Sequence, residues 1–202
     1  MPLIVLDGID GCGKSTQIEL LAKRLEALGR AHRRLREPGG TALGEAQRRI
    51  LLDPATKACP EAELFGYLQA RAQLCREVIA PALAAGEVVL LDRFYFSTIA
   101  YQAYGLGLPQ PEVRAAIRLA TGGIVPELAL WFDVDPAEAA RRRARARAGE
   151  DRIEARGLDY LRKVHDGFAE MASAGEMVRV DAGLPPADIA KVVWGAVIPL
   201  IG

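Results

Sequence analysis

A glycine-rich segment near the amino terminus has the residue types and spacing that bind the phosphates of a nucleotide. Residues 8–15 read GIDGCGKS and fit the pattern G-x-x-x-x-G-K-[ST] at every fixed position. The glycines let backbone N–H groups approach phosphate oxygens, Lys14 brings a positive charge to the β- and γ-phosphates, and Ser15 offers a hydroxyl to Mg²⁺. An apolar run before the segment and a helical pattern after it favour this P loop over a turn that merely caps a helix. The predicted ATP-binding residues of the loop are Gly8, Ile9, Asp10, Gly11, Cys12, Gly13, Lys14, Ser15 and Thr16.

The P loop alone predicts binding of ATP or GTP, and other features of the chain narrow the choice. A GTPase of the Ras type needs an N-K-x-D segment to read guanine, and the 202 residues include no Asn. Long motor ATPases need more domains than a chain of this length holds. The sequence therefore favours a small-molecule kinase.

A second polar pair follows another apolar run. Asp92 and Arg93 come directly after residues 88–91, at what would be the carboxyl end of a strand. In open α/β sheets this edge binds ligands, so Asp92 is predicted to hold a Mg²⁺-bound water and Arg93 to reach a phosphate. The alternative is an ion pair that only closes the end of the strand.

Apolar runs alternate with helical patterns along the whole chain. Strands are predicted at 3–6, 88–91 and 128–134, with weaker candidates at 32–36 and 177–181. Helices are predicted near 14–28, 43–52, 61–85, 110–120, 136–147, 157–174 and 186–199. This alternation predicts an α/β protein of the three-layer P-loop NTPase fold, with a five-stranded parallel sheet flanked by helices on both faces. We expect a single P-loop kinase domain over residues 1–202.

Composition restricts the partners and the compartment. Twenty-six basic and 26 acidic residues give a formal net charge of zero, so no global field attracts nucleic acid or an anionic membrane. No basic leader and apolar core of a signal peptide opens the sequence, and no later apolar run is long enough to span a bilayer. Cys12, Cys59 and Cys75 are odd in number and lack CxxC spacing, which argues against a disulfide framework or a zinc site. We expect a cytoplasmic protein that binds neither nucleic acid nor membrane.

Several short segments occur together in an order that resembles one family. They are REPGGT at 36–41, DRF at 92–94, the pairs Ser97-Thr98 and Tyr101-Gln102, and an arginine-rich stretch before DRIE at 151–154. With the P loop, this set resembles the thymidylate kinases over residues 3 to about 181. The resemblance implies transfer of the γ-phosphoryl group of ATP to dTMP with Mg²⁺ as cofactor.

The resemblance assigns the acceptor phosphate to arginines. Arg48 and Arg93 would bind the dTMP phosphate, and Arg36 would order the adjacent loop, because guanidinium groups bind phosphate bidentately and stay charged. For Arg48, a solvated helix face is an alternative, since Arg49 follows it. Asp10 resembles the family carboxylate that approaches the acceptor phosphate and the sugar 3′-hydroxyl; capping of the P loop is the alternative.

The residues predicted to bind the base and the sugar are identified from two helical patterns together with the same resemblance. Tyr67, where the family usually has Phe, would stack on thymine, while Arg71 on the same helical face donates to a base carbonyl. An ordinary core role for this aromatic is the alternative. If 95–104 is helical, Ser97, Thr98, Tyr101 and Gln102 share a face of that helix. Thr98 and Gln102 would bind the base edge, and Tyr101 would exclude a ribose 2′-hydroxyl.

An unusual concentration of arginine marks a predicted lid over about 141–153. Six arginines among residues 141–152 repel one another unless an anion relieves them, as a lid closing over phosphates would provide. One thymidylate kinase subtype places its key arginine in the P loop, where this chain has Gly11, so the lid-arginine type is expected here. Arg147 is the first candidate, followed by Arg145 and Arg152. A basic surface helix or a weak nucleic-acid patch is the alternative.

These assignments give Lys14, Arg93, Arg147 and Asp10 as the predicted catalytic residues, with Arg145 and Arg147 added to the ATP site. The rival interpretations are another nucleoside or nucleoside-monophosphate kinase of the same fold, and a P-loop regulator that hydrolyses ATP slowly while docking a partner. The resemblance also implies a homodimer formed through helices near 43–85.

Overall fold

Five parallel strands form one sheet at the centre of the protein. The computed structural model describes residues 1–145 and 152–201. The strands are β1 (Leu3–Asp7), β2 (His32–Arg36), β3 (Val88–Asp92), β4 (Leu128–Asp133) and β5 (Val178–Asp181), in the order β2-β3-β1-β4-β5. All neighbouring pairs are parallel, as the alternation of strands and helices predicted. All five predicted strands are present, and their ends shift by at most one residue.

Helices cover the sheet on both faces. They are α1 (Lys14–Ala27), α2 (Ala42–Leu52), α3 (Pro60–Leu74), α4 (Ala80–Ala84), α5 (Tyr95–Thr98), α6 (Gln110–Thr121), α7 (Pro136–Arg145), α8 (Leu158–Ser173) and α9 (Pro186–Ile201). One layer contains α1 packed against α9, and the other contains α3, α6 and α8. The predicted three-layer α/β fold is confirmed.

Two predicted helices are more irregular than the sequence suggested. The single helix expected at 61–85 is α3 and α4 joined by a π-helical turn, Cys75–Ile79. Pro81 has no N–H to donate to the carbonyl of Glu77, and the wider turn accommodates its ring. The helix expected at 95–104 begins as α5 and continues as a π-helical segment, Ile99–Gly105. This segment, called the π segment below, carries residues of the candidate site.

Burial follows the position of each strand in the sheet. Every residue of β1, in the middle, is buried, which explains its continuous apolar sequence. The edge strand β2 reads HRRLR, and its side chains are half-buried or exposed. No helix in the described part of the chain is both long and apolar enough to cross a membrane.

Candidate active site

The P loop connects the buried β1 to the amino terminus of α1. Gly8 and Gly11 adopt φ angles of 140° and 89°, in a region that side chains disfavour. A Cβ atom would lie 2.8 Å from the Phe132 carbonyl oxygen at Gly8 and 2.5 Å from that of Ala139 at Gly11. Glycine is therefore required at both positions by backbone conformation and by close packing.

Lys14 is folded back over the loop. Its Nζ donates to the carbonyl oxygens of Gly8 at 2.9 Å and Ile9 at 3.2 Å, and the side chain is buried. A cation held by neutral carbonyls is available to exchange these bonds for stronger ones to phosphate oxygens. The geometry therefore fits the phosphate role predicted for this lysine.

A cleft beside the P loop collects positive charge. This phosphate cleft is lined by Lys14, Ser15 and Thr16 of α1, by Asp10, Glu37 and Asp92, and by five arginines. The arginines are Arg36, Arg48, Arg93, Arg142 and Arg143. Because they come from widely separated parts of the chain, only the fold brings them together. The cleft is therefore suited to several negatively charged phosphates.

Arg93 is the most constrained of these arginines. Its backbone φ is 66°, a left-handed conformation that is costly for a residue with a side chain. Its guanidinium donates to Asp10 Oδ1 at 2.8 Å and to Ser97 Oγ at 2.8 Å, and lies 5.3 Å from the centre of the Tyr101 ring. Contacts on three sides fix the direction in which this side chain points.

The charge of Asp10 is stabilised by its cationic neighbours. Burial opposes ionisation of this carboxyl, but Arg93, Lys14 and Arg143 outweigh it and hold the pKa of Asp10 well below its usual range. Burial likewise opposes the charge of Arg93, and Asp10 raises the arginine's pKa well above its usual value. The pair therefore stays ionised at neutral pH.

Asp7 has a structural role at the end of β1. Its fully buried carboxylate accepts hydrogen bonds from the backbone N–H groups of Gly8, Phe94 and Ser97, and from the Ser97 hydroxyl at 2.6 Å. These bonds join the P loop to the turn after β3. Ser97 also accepts from Arg93, so it helps to orient that arginine as well as lining the site.

A second cavity, the acceptor pocket, opens from the same region. Its walls include nine of the ten residues predicted to bind dTMP. They are Asp10, Arg48, Tyr67, Arg71, Arg93, Ser97, Thr98, Tyr101 and Gln102. The tenth, Arg36, lines the phosphate cleft and donates to Glu45, which also accepts from the Gly40 N–H. This placement suits the loop-ordering role expected of Arg36.

Arg71 is almost completely buried in the wall of the acceptor pocket. It donates to Glu37 Oε2 through Nε at 2.8 Å and Nη2 at 2.6 Å, and to Thr98 Oγ1 at 2.8 Å. From the sequence, Glu37 could be interpreted only as a structural residue; in the structure its carboxylate holds Arg71 in position. The hydroxyl of Thr98 accepts from Arg71, so both side chains are fixed before any ligand enters.

A buried carboxylate behind the pocket was also missed. Glu63 of α3 is 0% exposed and accepts from Gln102 Nε2 at 3.0 Å. Its oxygens also pair with Arg156 at 2.5 Å and Arg152 at 2.7 Å. The partners lie 39 to 93 residues away, and no local pattern signals such a cluster.

The predicted lid arginines have different surroundings. Arg143 lies over the P loop and donates to the Asp10 carbonyl oxygen at 3.4 Å, whereas Arg145 is exposed. Arg147 lies outside the described residues, so its predicted role stays a prediction. Arg152, the third candidate, pairs with Glu63 and donates to the Leu51 carbonyl oxygen at 2.8 Å. Those contacts place Arg152 behind the acceptor pocket, and its predicted phosphate role stays a prediction. Arg143, which was not among the candidates, contacts the P loop.

The donor groups needed by a magnesium ion are present in the phosphate cleft. Ser15 and Asp92 both line it, and Asp92 Oδ1 is buried without a hydrogen-bond partner among the described residues. A hydroxyl and an unsatisfied carboxylate oxygen are hard oxygen ligands of the kind Mg²⁺ prefers. No cluster of three or more metal-binding side chains occurs within the described ranges. The residues fit a Mg²⁺ that takes its other ligands from nucleotide and water.

Comparison with known proteins agrees with this geometry. Residues 6–193 match the family model described as thymidylate kinase. A thymidylate kinase of Synechococcus sp. (strain JA-3-3Ab) is 48% identical over 200 residues, which cover 97% of this chain and 95% of that protein. Thymidylate kinases of Deinococcus radiodurans and Solidesulfovibrio magneticus are 43% and 42% identical, covering 96% and 98% of this chain and 95% and 99% of those proteins.

Proposed function

The chain belongs to the thymidylate kinase family, and we propose from that premise how its two cavities carry out the reaction. The reaction is transfer of the γ-phosphoryl group from ATP to dTMP, giving ADP and dTDP. In this proposal, ATP binds with its phosphates in the phosphate cleft, and dTMP binds in the acceptor pocket.

One observation supports this arrangement above all: the two cavities share four charged residues. Asp10, Glu37, Arg48 and Arg93 line both the phosphate cleft and the acceptor pocket. A phosphate bound at Arg48 and Arg93 would therefore lie where the two cavities meet and would face the P loop. That placement is what an in-line attack of the dTMP phosphate on the γ-phosphorus requires.

The chemistry needs positioning and charge neutralisation more than proton transfer. A phosphate monoester oxygen is already a competent nucleophile, so no dedicated general base is required. Lys14 would exchange its bonds to the loop carbonyls for the β- and γ-phosphates, and P-loop N–H groups would bind the same oxygens. Arg93, held by Asp10 and Ser97, would orient the attacking phosphate.

Mg²⁺ is the proposed cofactor. Ser15 would contribute its hydroxyl, and Asp92 would hold the ion through a bound water. When bound, the ion neutralises part of the charge on the β- and γ-phosphates. The protein contributes a buried carboxylate oxygen that has no partner among the described residues and is therefore available to that water.

Arg143 is a proposed ligand of the transferring phosphate, alongside the expected Arg145 and Arg147. Its guanidinium lines the phosphate cleft and lies beside the Asp10 carbonyl, where an anion bound at the P loop would meet it. The proposal thus retains the lid-arginine type of site, but it adds an arginine that lies earlier in α7 than Arg145.

The acceptor pocket has features suited to thymidine. Tyr67 would stack on the base, Arg71 and Gln102 would bind its edge, and Tyr101 would face the sugar 2′ position. The last three are held by neighbouring side chains or by tight packing, which supports a pocket formed before substrate arrives.

A homodimer formed through α2 and α3 is part of the proposal. Ile50 on α2 is 52% exposed and Phe65 on α3 is 63% exposed, and these two helices pack side by side. Large exposed apolar side chains on neighbouring helices are typical of a subunit interface. Light scattering of the purified protein should give twice the chain mass, and Phe65→Lys should give one chain mass.

We also propose a cytoplasmic location without nucleic-acid partners. The three cysteines are free, which suits a reducing compartment. Fluorescence imaging of a tagged chain would test the location.

A substrate panel tests the central proposal. The protein is mixed with ATP, Mg²⁺ and one acceptor at a time: dTMP, dUMP, UMP, dCMP, dGMP or AMP, and ADP and diphosphate products are followed. We expect dTMP to be the best acceptor and UMP to be poor. Preference for another monophosphate would keep the fold and mechanism but overturn the base-site assignment. ATP binding without phosphorylation of any acceptor would favour a regulatory protein.

A further inference from the structure

The Gln102 amide has a donor side and an acceptor side, and the buried Glu63 determines which of them faces the acceptor pocket. Gln102 lines the pocket, and its side chain contacts Glu63 at 3.0 Å. A carboxylate can only accept hydrogen bonds when it is ionised. The atom of Gln102 that faces an ionised Glu63 must therefore be the NH₂ group.

Glu63 has the surroundings of a permanently ionised group. Burial by itself opposes its charge, but the hydrogen bonds and charges of Arg156, Gln102 and Arg152 hold the pKa of Glu63 below its usual value. Arg156 donates to both carboxylate oxygens, and Tyr160 fixes Arg156 in turn through a 2.9 Å bond. The orientation of Gln102 is thus imposed from outside the pocket.

We infer that Glu63 is a specificity-determining positioning residue: it turns the Gln102 carbonyl oxygen toward the base and thereby selects bases with an N–H at ring position 3. Thymine and uracil carry that N–H donor, whereas cytosine has an acceptor nitrogen there. This inference rests on the proposed function, because it assumes that a pyrimidine edge meets Gln102.

Arg71 completes the pattern on the other side of the base edge. It can only donate, and Glu37 fixes its direction through two hydrogen bonds. A donor at Arg71 and an acceptor at Gln102 complement the O4 and N3–H of thymine. Cytosine presents an amino donor and an unprotonated nitrogen to the same groups, so both contacts are mismatched.

The test is Glu63→Gln, which keeps the size of the side chain but can either donate or accept. Gln102 is then free to turn its NH₂ group toward the pocket. The measurement is kcat/KM for dTMP, dUMP and dCMP, together with the inhibition constant of dCMP against dTMP, which does not depend on turnover. We expect the preference for dTMP over dCMP to fall about 10-fold, from the cost of a mismatched buried hydrogen bond.

The ratio of kcat/KM for dUMP to kcat/KM for dTMP is an internal standard, because uracil and thymine share the same hydrogen-bonding edge. It should stay unchanged. Arg156→Gln is the matched control, since it weakens the cluster but leaves the Glu63 to Gln102 contact. We expect it to lower stability without altering the dCMP to dTMP ratio.

If Glu63→Gln does not fold, the double variant Glu63→Gln/Arg156→Gln retains the net charge of the cluster and takes its place. Equal weakening of all three acceptors, with unchanged ratios, would overturn the inference while leaving the kinase function intact. A wild-type enzyme that does not phosphorylate dTMP would instead overturn the proposed function.

Discussion

The acceptor pocket and the phosphate cleft share four residues, but the side chains proposed to bind the base are held differently from Lys14 and Asp92, which are proposed to serve the phosphates. In the acceptor pocket, Arg71, Thr98 and Gln102 are paired with buried neighbours, two of which are the carboxylates Glu37 and Glu63. In the phosphate cleft, Lys14 and Arg143 rest on backbone carbonyl oxygens, and Asp92 Oδ1 has no partner among the described residues.

This difference matches what each cavity has to recognise. A base is distinguished by the position of individual donors and acceptors, so the groups that read it must not turn. A phosphate is recognised largely by charge, and a lysine held by neutral carbonyls can exchange them for phosphate oxygens when the nucleotide binds. The comparison predicts that substitutions in the cleft affect the rate, whereas those in the pocket affect stability or selectivity.

Lys14→Met should have the largest effect. Loss of the P-loop cation should lower kcat about 1000-fold, because the developing charge on the phosphates loses a direct ligand. Steady-state kinetics with dTMP, and thermal unfolding as a check on folding, would measure it. A fall in kcat of less than 10-fold would remove Lys14 from the catalytic group.

Glu37→Gln tests the acceptor pocket through Arg71, because Glu37 lines both cavities but its partner Arg71 lines only this pocket. The substitution leaves the buried Arg71 without its counter-charge, which should cost about 3 kcal/mol of unfolding free energy. Urea denaturation would measure this loss. Glu45→Gln provides a control, since its partner Arg36 is more than half exposed and should contribute little.

Arg143→Met tests which part of α7 serves the phosphates. We expect kcat to fall about 20-fold, equivalent to about 2 kcal/mol of transition-state stabilisation, with unfolding temperature unchanged. Arg145→Met is compared with it, and Arg141→Met is the control on the same helix, because Arg141 is exposed and pairs with Glu138. A larger effect at Arg145 than at Arg143 would show that the helix rotates or moves during the reaction.

Tyr101→Ala tests selectivity in the pocket and should have the smallest effect. UMP and dUMP differ only in the 2′-hydroxyl, so the ratio of their kcat/KM values isolates this position. We expect UMP to improve about 10-fold relative to dUMP as space opens. Tyr160→Phe removes a hydrogen bond to the Tyr101 carbonyl and should leave the ratio unchanged.

Elements with continuous or periodic patterns were predictable from the sequence. The strands β1, β3 and β4 were recognisable as apolar runs, because a central parallel strand is buried on both faces. The P loop was predictable because its glycines are required by the backbone conformation of a few consecutive residues. The π segment was expected only as a regular helix, since an extra residue in a turn leaves no distinct apolar period.

The supporting carboxylates could not be predicted in the same way. Glu37 and Glu63 act on residues 34 and 39 positions away, and their partners are set by tertiary packing. The contacts of the lid arginines were also hard to predict, because a high arginine content predicts a cationic helix but not which of its sides faces the P loop. Arg143 contacts the P loop although it was not predicted to do so, whereas the roles predicted for Arg147 and Arg145 stay predictions.

The close contact at Gly11 has an evolutionary consequence. A side chain there would meet the backbone of α7 and the Cγ of Arg143, so an arginine cannot be added to the P loop while α7 keeps its place. An arginine at Gly11 and the present position of α7 are thus mutually exclusive on this backbone. Evolution of a P-loop arginine on this backbone would therefore be strongly epistatic: Gly11→Arg is harmful until α7 has already moved.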